Sequence, residues 1–510
     1  MTLSVRLLVV SDVGRSGTRH IGDEAMLEAN LARLRWLIPD ASFTIVCSDP
    51  AWTAKHFGVD AVETFEFPSD PGAGITRQTI LDRLRADAAK SLPDHPTTAA
   101  LARADGLILS GGGNLSSTWP DLLYCRAALM QLARIFGKPA VVLGQTIGPR
   151  LRDDERRLLG EALSSARFVG MRDLPSATLA LDLSVPLERL WYQCDDSLFL
   201  DGARNPIEAS DPSSTTTVAV TIDSQIRASG DNLFGALVRQ LRELAEVTGA
   251  HLILVPHLYG DESTPGLSDL TEARVLAEQL GLRHTVIAAG LEPIQARQLT
   301  ANASLVISSR YHPIIFALGA SVPAIGIYGD EYCRIKLQGA LAHAGLGRWT
   351  LTYDDVAQGR LLTTSLELWR VRERVRQRLE ACRQAWRAES CERWAAIMRA
   401  LDPAFDFPPA DVSKLFGRPV QEVTPALVWA LAARGRAWES EQLVFEASLN
   451  EAHRRLRVLE RKLGPLITVK RYALALRSKL ESVTLWNRTD SQAPDQAVNL
   501  LHQRRHRPVE

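Results

Sequence analysis

The chain has 510 residues, enough for about three domains, and 46% of them are hydrophobic, so it can bury large cores. Lysine plus arginine and aspartate plus glutamate both number 59, and this balance argues against a nucleic-acid-binding protein, which would normally carry a basic surplus. No apolar run approaches the roughly 20 residues that a bilayer-spanning helix needs. The six cysteines form no CxxC pair and are typical of reduced thiols, which predicts a cytoplasmic protein.

Short apolar runs alternate with helical patterns through the first part of the chain. The predicted strands are Leu3–Val10, Phe43–Cys47, Gly106–Leu109, Ala140–Leu143 and Phe168–Met171. The main helices between them are Asp23–Leu37, Thr76–Leu92, Asp121–Phe136 and Asp153–Ala166. Such strict alternation predicts a parallel sheet with helices on both faces, in an N-terminal Rossmann-like domain of residues 1–205.

The same pattern restarts after Asp201–Thr216, a segment whose Ser, Thr, Pro and Asp content predicts a linker. The strands predicted beyond it are Thr217–Ile222, His251–Val255, Thr285–Ala288, Leu305–Ser308 and Ala324–Ile327. We therefore predict a second Rossmann-like domain, residues 206–355, facing the first across a cleft in a glycosyltransferase-B-like α/β arrangement. Bridging helices should follow over 356–402, and a helical extension with a disordered end over 403–510.

Two polar side chains follow the strand Leu305–Ser308 directly. Arg310 and His312 stand at its carboxyl end, where ligands bind in open α/β sheets, and Pro313 is expected to open a helix. A guanidinium and an imidazole beside helix N–H groups make an anion site with a titrating group next to it. A surface loop with two solvated polar residues is the alternative.

Further candidates lie at the strand ends of the first domain. Gly111–Gly113 would let a ligand approach the backbone closely, although the spacing is not that of a dinucleotide motif. Asp23 is either a helix cap or a ligand residue. Arg172 is a second arginine at a strand end. Asp195 and Asp196 suggest no metal, because no further ligand stands at suitable spacing.

These motifs, in this order, resemble the polysaccharide pyruvyl transferase family from about Leu3 to Leu346. The matching stretches are Ile21–Ala25, Gly111–Leu115 with Asn114, Gly144–Pro149 with Gln145, Arg172–Ser176, Asp196–Leu200 as a closing strand, Ser309–His312, and Tyr328–Lys336. Two departures stand out. His20 occupies a position where the family commonly has Asn, and the spacing from Tyr328 to Lys336 is long, which leaves Arg334 as a substitute for the family's lysine.

The resemblance implies transfer of a pyruvate moiety from phosphoenolpyruvate to two hydroxyls of a saccharide, with no metal or other cofactor. It implies His312 and Arg310 as catalytic residues. It implies a substrate-binding set of Arg172, Asp23, Gly112, Gly113, Asn114, Gln145, Ser309 and Lys336. Arginines from the two domains would clamp the donor's phosphate and carboxylate, and His312 would act as acid or base. A lone histidine such as His343 is interpreted as helix surface.

Two other function classes remain open. A nucleotide-sugar-dependent glycosyltransferase or epimerase would share the two-domain shape, but such enzymes commonly hold the ribose with a glutamate on the helix after Leu305–Ser308. The chain has no acidic residue between Ser308 and Ile327. An inactive scaffold is disfavoured by the presence of Arg172, Arg310 and His312.

The C-terminal extension carries two helical patterns. Phe445–Leu463 has a short a/d seam, typical of a coiled coil or of a helix packed on its own domains. Residues 466–483 form a basic amphipathic pattern, which indicates either a surface helix or contact with the inner face of an anionic membrane, where a lipid-linked acceptor would wait. The oligomeric state stays open, with a homodimer as one outcome.

Overall fold

The computed structural model describes residues 5–14, 18–68, 76–200, 216–260, 268–281 and 285–402. The strands of the first half are β1 (Arg6–Val10), β2 (Arg19–His20), β3 (Ser42–Cys47), β4 (Asp60–Glu63), β5 (Gly106–Leu109), β6 (Gly112–Leu115), β7 (Ala140–Ile147), β8 (Phe168–Met171) and β9 (Leu190–Tyr192). All but β2 form one parallel eight-stranded sheet in the order β4-β3-β1-β5-β7-β8-β9, with β6 paired to β7.

Helices cover both faces of this first sheet. They are α1 (Ile21–Leu37), α2 (Pro50–Phe57), α3 (Arg77–Ala88), α4 (Pro96–Arg103), α5 (Pro120–Ile135), α6 (Asp153–Ser165) and α7 (Leu174–Asp182), with 3-10 turns at Leu187–Arg189 and Asp196–Phe199. Alternate residues of β1 divide between the faces: Leu7 and Val9 belong to one apolar core, Leu8 and Val10 to the other. This period of two is what a strand buried on both sides requires.

The second half builds a six-stranded parallel sheet in the order β13-β11-β10-β14-β15-β16. Its strands are β10 (Thr217–Thr221), β11 (His251–Leu254), β13 (Thr285–Ile287), β14 (Leu305–Ser308), β15 (Ala324–Tyr328) and β16 (Thr350–Thr352), and a short strand β12 (Leu258–Tyr259) lies outside it. The helices are α8 (Ser224–Ala228), α9 (Asp231–Thr248), α10 (Asp269–Leu280), α11 (Pro293–Ala301), α12 (Tyr311–Gly319), α13 (Glu331–Ala342), α14 (Tyr353–Ala357) and α15 (Arg360–Leu401).

Every predicted strand of the two sheets is present, and the differences lie at element ends. Helix α12 begins at Tyr311 with Arg310 as its N-cap, so Pro313 lies inside the first turn rather than at the start. The predicted closing strand Asp196–Leu200 is wrong, because Asp196–Phe199 is a 3-10 turn. Most of the predicted linker lies outside the described residues, and the domain boundaries stay predictions.

A short antiparallel ladder and an apolar cluster join the two sheets. In the ladder, β2 pairs with β12, with Leu258 opposite His20 and Tyr259 opposite Arg19. Immediately after β2, the amide of Ile21 donates to the carbonyl of His257 at 3.0 Å. The cluster contains residues of α1, α11 and α12, namely Ile21, Ala25, Ala29, Leu200, Ala296 and Phe316. The start of α1 is therefore fixed against the second half of the chain.

The long helix α15 contacts α9 of the second half and β7 and β8 of the first, as a bridging helix should. Arg393 on this helix forms an ion pair with Asp196, with Nη1 2.7 Å from Oδ1. Both side chains are at most 4% exposed. The pair links the C-terminal helix to the turn that follows β9.

None of the helices in the described part of the chain is long and apolar enough to span a bilayer. The predicted coiled-coil seam at Phe445–Leu463 and the basic segment at 466–483 both lie outside the described residues. The membrane contact and the homodimer stay predictions.

The Arg393–Asp196 pair predicts a large stability effect. Arg393→Ala leaves a buried carboxylate without its cation, and breaking such a pair costs about 3–5 kcal/mol of unfolding free energy. Arg399→Ala, in the last turn of the same helix at an exposed position, should change stability by no more than about 0.5 kcal/mol. Urea unfolding of both variants checks this, and equal midpoints would show that the pair contributes nothing.

Candidate active site

Arg172 and Asp195 form a buried ion pair at the carboxyl edge of the first sheet. Arg172 Nη1 lies 2.7 Å from Asp195 Oδ2, and the two side chains are 2% and 0% exposed. Arg172 Nε also donates to the hydroxyl of Thr146 at 3.1 Å, and its guanidinium stacks 4.3 Å from the centre of the Tyr311 ring. Asp195 Oδ1 accepts from the amide and hydroxyl of Ser197 at 2.9 and 2.6 Å.

His312 reaches this pair from the second sheet. Its Nε2 is 4.0 Å from Asp195 Oδ1 and makes no hydrogen bond to a described residue. Its ring lies against Gly22 so closely that a Cβ at Gly22 would be 1.7 Å from Nδ1. Burial, opposed by Asp195, keeps the pKa of His312 well below its ordinary value, so the imidazole is neutral at physiological pH.

Arg310 is the N-cap residue of α12, and its fork is bound by Asp269. Nε lies 3.2 Å from both carboxylate oxygens and Nη2 lies 2.7 Å from Oδ1. Asp269 also accepts from the amides of His257 and Leu258. The side chain of Arg310 is 23% exposed, and its Nη1 makes no hydrogen bond within the described ranges. One amino group thus remains for a ligand.

The glycine loop is itself a short strand, β6, and it faces α13. A Cβ at Gly113 would be 2.3 Å from the hydroxyl of Tyr332 and 3.3 Å from Arg172 Nη2. The Tyr332 hydroxyl donates to the carbonyl of Gly113 at 2.7 Å, across the junction between the sheets. Gly112 lies near the side chains of Asn114 and Gln145.

Asn114 contacts Asp12, which in turn forms an ion pair with Arg126 at 2.6 Å. Gln145 is fully buried, and its Nε2 donates to the carbonyl of Ser110 at 2.5 Å. Both predicted ligand residues therefore support the loop from behind. Gln145 Oε1 makes no hydrogen bond to any residue that the structure describes.

Lys336 lies in the site, and the alternative Arg334 does not. Lys336 Nζ is 3.5 Å from the Tyr332 hydroxyl, 4.7 Å from the centre of that ring and 5.5 Å from the centre of the Tyr311 ring. The guanidinium of Arg334 is occupied by Glu331 and Gln338 on its own helix. The longer spacing after Tyr328 is accommodated because α13 begins at Glu331, which places Lys336 in its second turn.

Asp23 lies in the first turn of α1, with the side chain 22% exposed. It does not cap the helix, whose N-cap residue is His20. His20 Nδ1 is 3.5 Å from Asp23 Oδ2, and the His20 ring stands edge-on to His312 with centroids 6.4 Å apart. This pair adds two titratable groups to the site.

The structure adds a contact for Ser309 and corrects the interpretation of His343. Ser309 accepts from the backbone amide of Asp223 at 2.8 Å, so its hydroxyl holds a neighbouring loop. His343 is not a helix-surface residue, because its ring stacks on Tyr192 and Nε2 lies 3.0 Å from the carbonyl of Arg172. His343 thus supports the Arg172 backbone from behind.

Sequence reasoning missed Asp195, Tyr311, Tyr332 and the role of His20. For Asp195 a signal existed, because Arg172 follows β8 and Asp195 follows the neighbouring strand β9. An ion pair at that edge of the sheet was therefore foreseeable. Tyr332 and His20 carried no such signal, since their positions depend on how the two sheets meet.

The arrangement joins an anion site to a proton-transfer site. Arg172, Arg310 and Lys336 offer cationic donors beside the N-terminus of α12, a combination that suits phosphate and carboxylate groups. Neutral His312 can accept a proton.

A sequence model of the family described as polysaccharide pyruvyl transferase matches residues 20–331, more than half of the chain. A search of curated protein sequences found no significant match.

Many solved structures resemble the fold, and two of them illustrate the similarity. S. aureus MnaA in a co-structure with UDP superposes with a TM-score of 0.51 at 9% identity, covering 79% of this chain and 99% of that chain. A UDP-N-acetylglucosamine 2-epimerase structure from Listeria monocytogenes gives 0.50 at 10% identity, covering 76% and 96%. At these identities the similarity shows the fold alone, and it confirms the glycosyltransferase-B-like class.

The contact between Gly22 and His312 predicts that Gly22→Ala disables the site. The added Cβ would overlap the imidazole, so the ring must move, and a misplacement of about 1 Å can cost about 10²-fold in rate. Gly235→Ala in α9 is the matched control, because its Cβ would meet only Arg239 Nη1 at 3.5 Å. Turnover of the two variants checks this, and an active Gly22→Ala would show that the position of His312 is not critical.

Proposed function

The chain belongs to the polysaccharide pyruvyl transferase family, and on that premise we propose that it moves the pyruvate moiety of phosphoenolpyruvate onto two hydroxyls of a saccharide, forming a cyclic ketal. The observation that supports this most is the meeting of Arg172 and His312, from opposite sheets, at Asp195. The product would enter a cell-surface or secreted polysaccharide.

The donor carries a phosphate and a carboxylate, so its site needs several fixed cations. Arg172 Nη2 makes no hydrogen bond to the described chain and would lie 3.3 Å from a Cβ at Gly113. Lys336 Nζ lies nearby over two tyrosine rings. Arg310, the N-cap residue of α12, offers Nη1 as a third cationic donor. Charge-assisted hydrogen bonds of this kind are the strong ones, and three of them suit a donor with two anionic groups.

His312 serves as the general base in this proposal. A sugar hydroxyl must lose its proton as it attacks the enolpyruvyl carbon, and an acceptor has to be unprotonated at working pH. Burial keeps His312 neutral, and its Nε2 has no partner among the described residues. Of the two roles that the sequence left open, acid or base, we therefore assign His312 the role of base.

The reaction uses no metal and no nucleotide, and the acceptor is a saccharide, free or lipid-linked. The nucleotide-sugar alternative gains nothing from the site, because α12 carries no carboxylate that could hold a ribose. Work at the inner face of the membrane through residues 466–483 remains part of the proposal.

Incubation with phosphoenolpyruvate and a pool of free, nucleotide-linked and lipid-linked saccharides tests the function. Phosphate release that requires an acceptor, together with a pyruvate-sized mass gain on one saccharide, is expected. Consumption of a nucleotide sugar without phosphoenolpyruvate would instead support the alternative.

Lys336→Met should weaken binding of phosphoenolpyruvate by about ten- to a hundredfold, since hydrogen bonds to charged groups contribute about 1.5–3 kcal/mol. Arg334→Met, two residues away with its guanidinium on Glu331, is the matched control and should bind normally. Calorimetric titration measures both. The reverse result would make Arg334 the donor-binding residue. Arg310 is a poorer probe, because its loss also strands the buried carboxylate of Asp269.

His312→Asn should lower kcat by about 10²–10⁴-fold while leaving affinity for phosphoenolpyruvate nearly unchanged. In the wild type, the base is available above the lowered pKa of His312, so its acid limb in kcat/KM should fall well below pH 6.5. Rate–pH profiles of both proteins measure this. A variant with normal kcat and lost binding would make His312 a binding residue.

A further inference from the structure

Asp23 differs from four neighbouring carboxylates in having no arginine or lysine within ion-pair distance among the described residues. Each of these four is paired with an arginine: Asp12 with Arg126, Asp195 with Arg172, Asp196 with Arg393 and Asp269 with Arg310. Asp23 Oδ2 lies 3.5 Å from Nδ1 of His20, and 22% of the Asp23 side chain is exposed.

Charged groups surround Asp23 from several elements. Asp12 follows β1, Arg126 comes from α5, Arg172 follows β8, and Lys336 comes from α13. Burial first, and then Asp12, raise the pKa of Asp23 to about 7 against the three cations. Burial and Arg310 lower the pKa of His20 to about 4. Near neutral pH a carboxyl group that still holds a proton therefore faces a neutral imidazole.

Asp23 and His312 come from opposite sides of the domain junction. Gly22, the residue before Asp23, is in direct contact with the His312 ring. The ladder of β2 and β12 holds this geometry, because it fixes His20 and the start of α1 against the second sheet.

We propose that Asp23 is the general acid that protonates the methylene carbon of the enolpyruvyl group, that His20 positions its carboxyl group, and that His312 is the opposing base. This assignment rests on the proposed function. Asp23 has a raised pKa and His312 a lowered one, and two groups whose pKa values are shifted in opposite directions are a common signature of an acid and a base in one site.

The protons balance over two steps. First, a sugar oxygen bonds to C2 of the donor while its proton passes to His312, and C3 takes the proton of Asp23 to become a methyl group. Second, the other sugar oxygen bonds to C2 as the C2–O bond to phosphate breaks. Its proton returns to the Asp23 carboxylate, and His312 gives its proton to the departing phosphate. Both residues regain their starting states.

Proton uptake on binding tests the state of Asp23 directly. Phosphoenolpyruvate is titrated calorimetrically into the full chain at pH 7.5, in two buffers of different ionisation enthalpy. The donor's charges should draw a proton onto Asp23, so the wild type should take up more protons than Asp23→Asn. Asp231→Asn, which changes an exposed carboxyl in the first turn of α9, is the control and should match the wild type. Equal uptake by wild type and Asp23→Asn overturns the proposal.

Turnover supplies the second test. Asp23→Asn should lose about 10²–10⁴-fold in kcat. In the wild type, kcat/KM should decline as pH rises through about 7, since the acid must be protonated, and this limb should vanish in Asp23→Asn. His20→Asn should shift the limb to lower pH, because a smaller side chain beside Asp23 weakens the burial that raises the pKa of Asp23. A purely structural role would lower kcat without moving the limb.

The outcomes separate this proposal from the function on which it rests. A wild type that binds phosphoenolpyruvate no better than inorganic phosphate, and transfers nothing to the saccharide pool, overturns the function and the acid assignment together. A wild type that transfers pyruvate while Asp23→Asn keeps its kcat and its limb overturns the acid assignment alone. Should Asp23→Asn fail to fold, the limb of His20→Asn decides, and an unmoved limb overturns the proposal.

Discussion

The buried ion pair of Arg172 and Asp195 is the interaction on which the site depends. Removing two charges from water costs several kcal/mol for each ion, so such a pair is tolerated only where its remaining hydrogen-bonding groups are satisfied. The hydroxyl of Thr146 accepts a hydrogen bond from Nε of Arg172, Ser197 donates twice to the carboxylate, and the Tyr311 ring stacks on the guanidinium. These partners come from β7, from the turn after β9 and from α12. The pair therefore fixes the edge of the first sheet against the second.

The neighbouring carboxylate extends this constraint to the C-terminal helix. Asp195 points to Arg172 and His312, while Asp196 points to Arg393 on α15 and also accepts from Gln193. Of these two consecutive residues, Asp195 thus contacts the site and Asp196 contacts the bridging helix. Burial first, and then Asp195, raise the pKa of Asp196, while Arg393 opposes this by favouring its charged form. Because one turn carries both carboxylates, the position of α15 and the geometry of the site are coupled through a few covalent bonds.

The fold could be predicted from the sequence because both sheets are buried on two sides. Short continuous apolar runs such as Leu305–Ile307 are typical of strands buried on both faces. Parallel topology then placed Arg172, Arg310 and His312 at carboxyl strand ends. Contacts between the domains could not be foreseen in this way. Nothing in the chain's periodicity says that Gly22 receives the His312 ring. The contact between Ser309 and Asp223, within the second half, carried no sequence signal either.

The position of Lys336 could likewise not be predicted from the sequence, because it depends on a helix boundary. Whether Arg334 or Lys336 faces the cleft depends on where α13 begins, and a shift of two residues turns a side chain by more than half a turn of the helix. The observed start at Glu331 pairs Arg334 with that residue and sends Lys336 toward Tyr311 and Tyr332.

The charges of the site explain why its proton and its donor should be bound together. Arg172, Arg310 and Arg126 are each balanced by a carboxylate in direct contact, so they orient an anion without adding net charge. Lys336 has no such carboxylate partner in the described chain, and Asp23 opposes it while it is ionised. Once Asp23 is protonated, the site carries the positive excess that an anionic donor requires. On the proposed mechanism, the proton that charges the site favourably for binding is the same proton that the enolpyruvyl carbon receives.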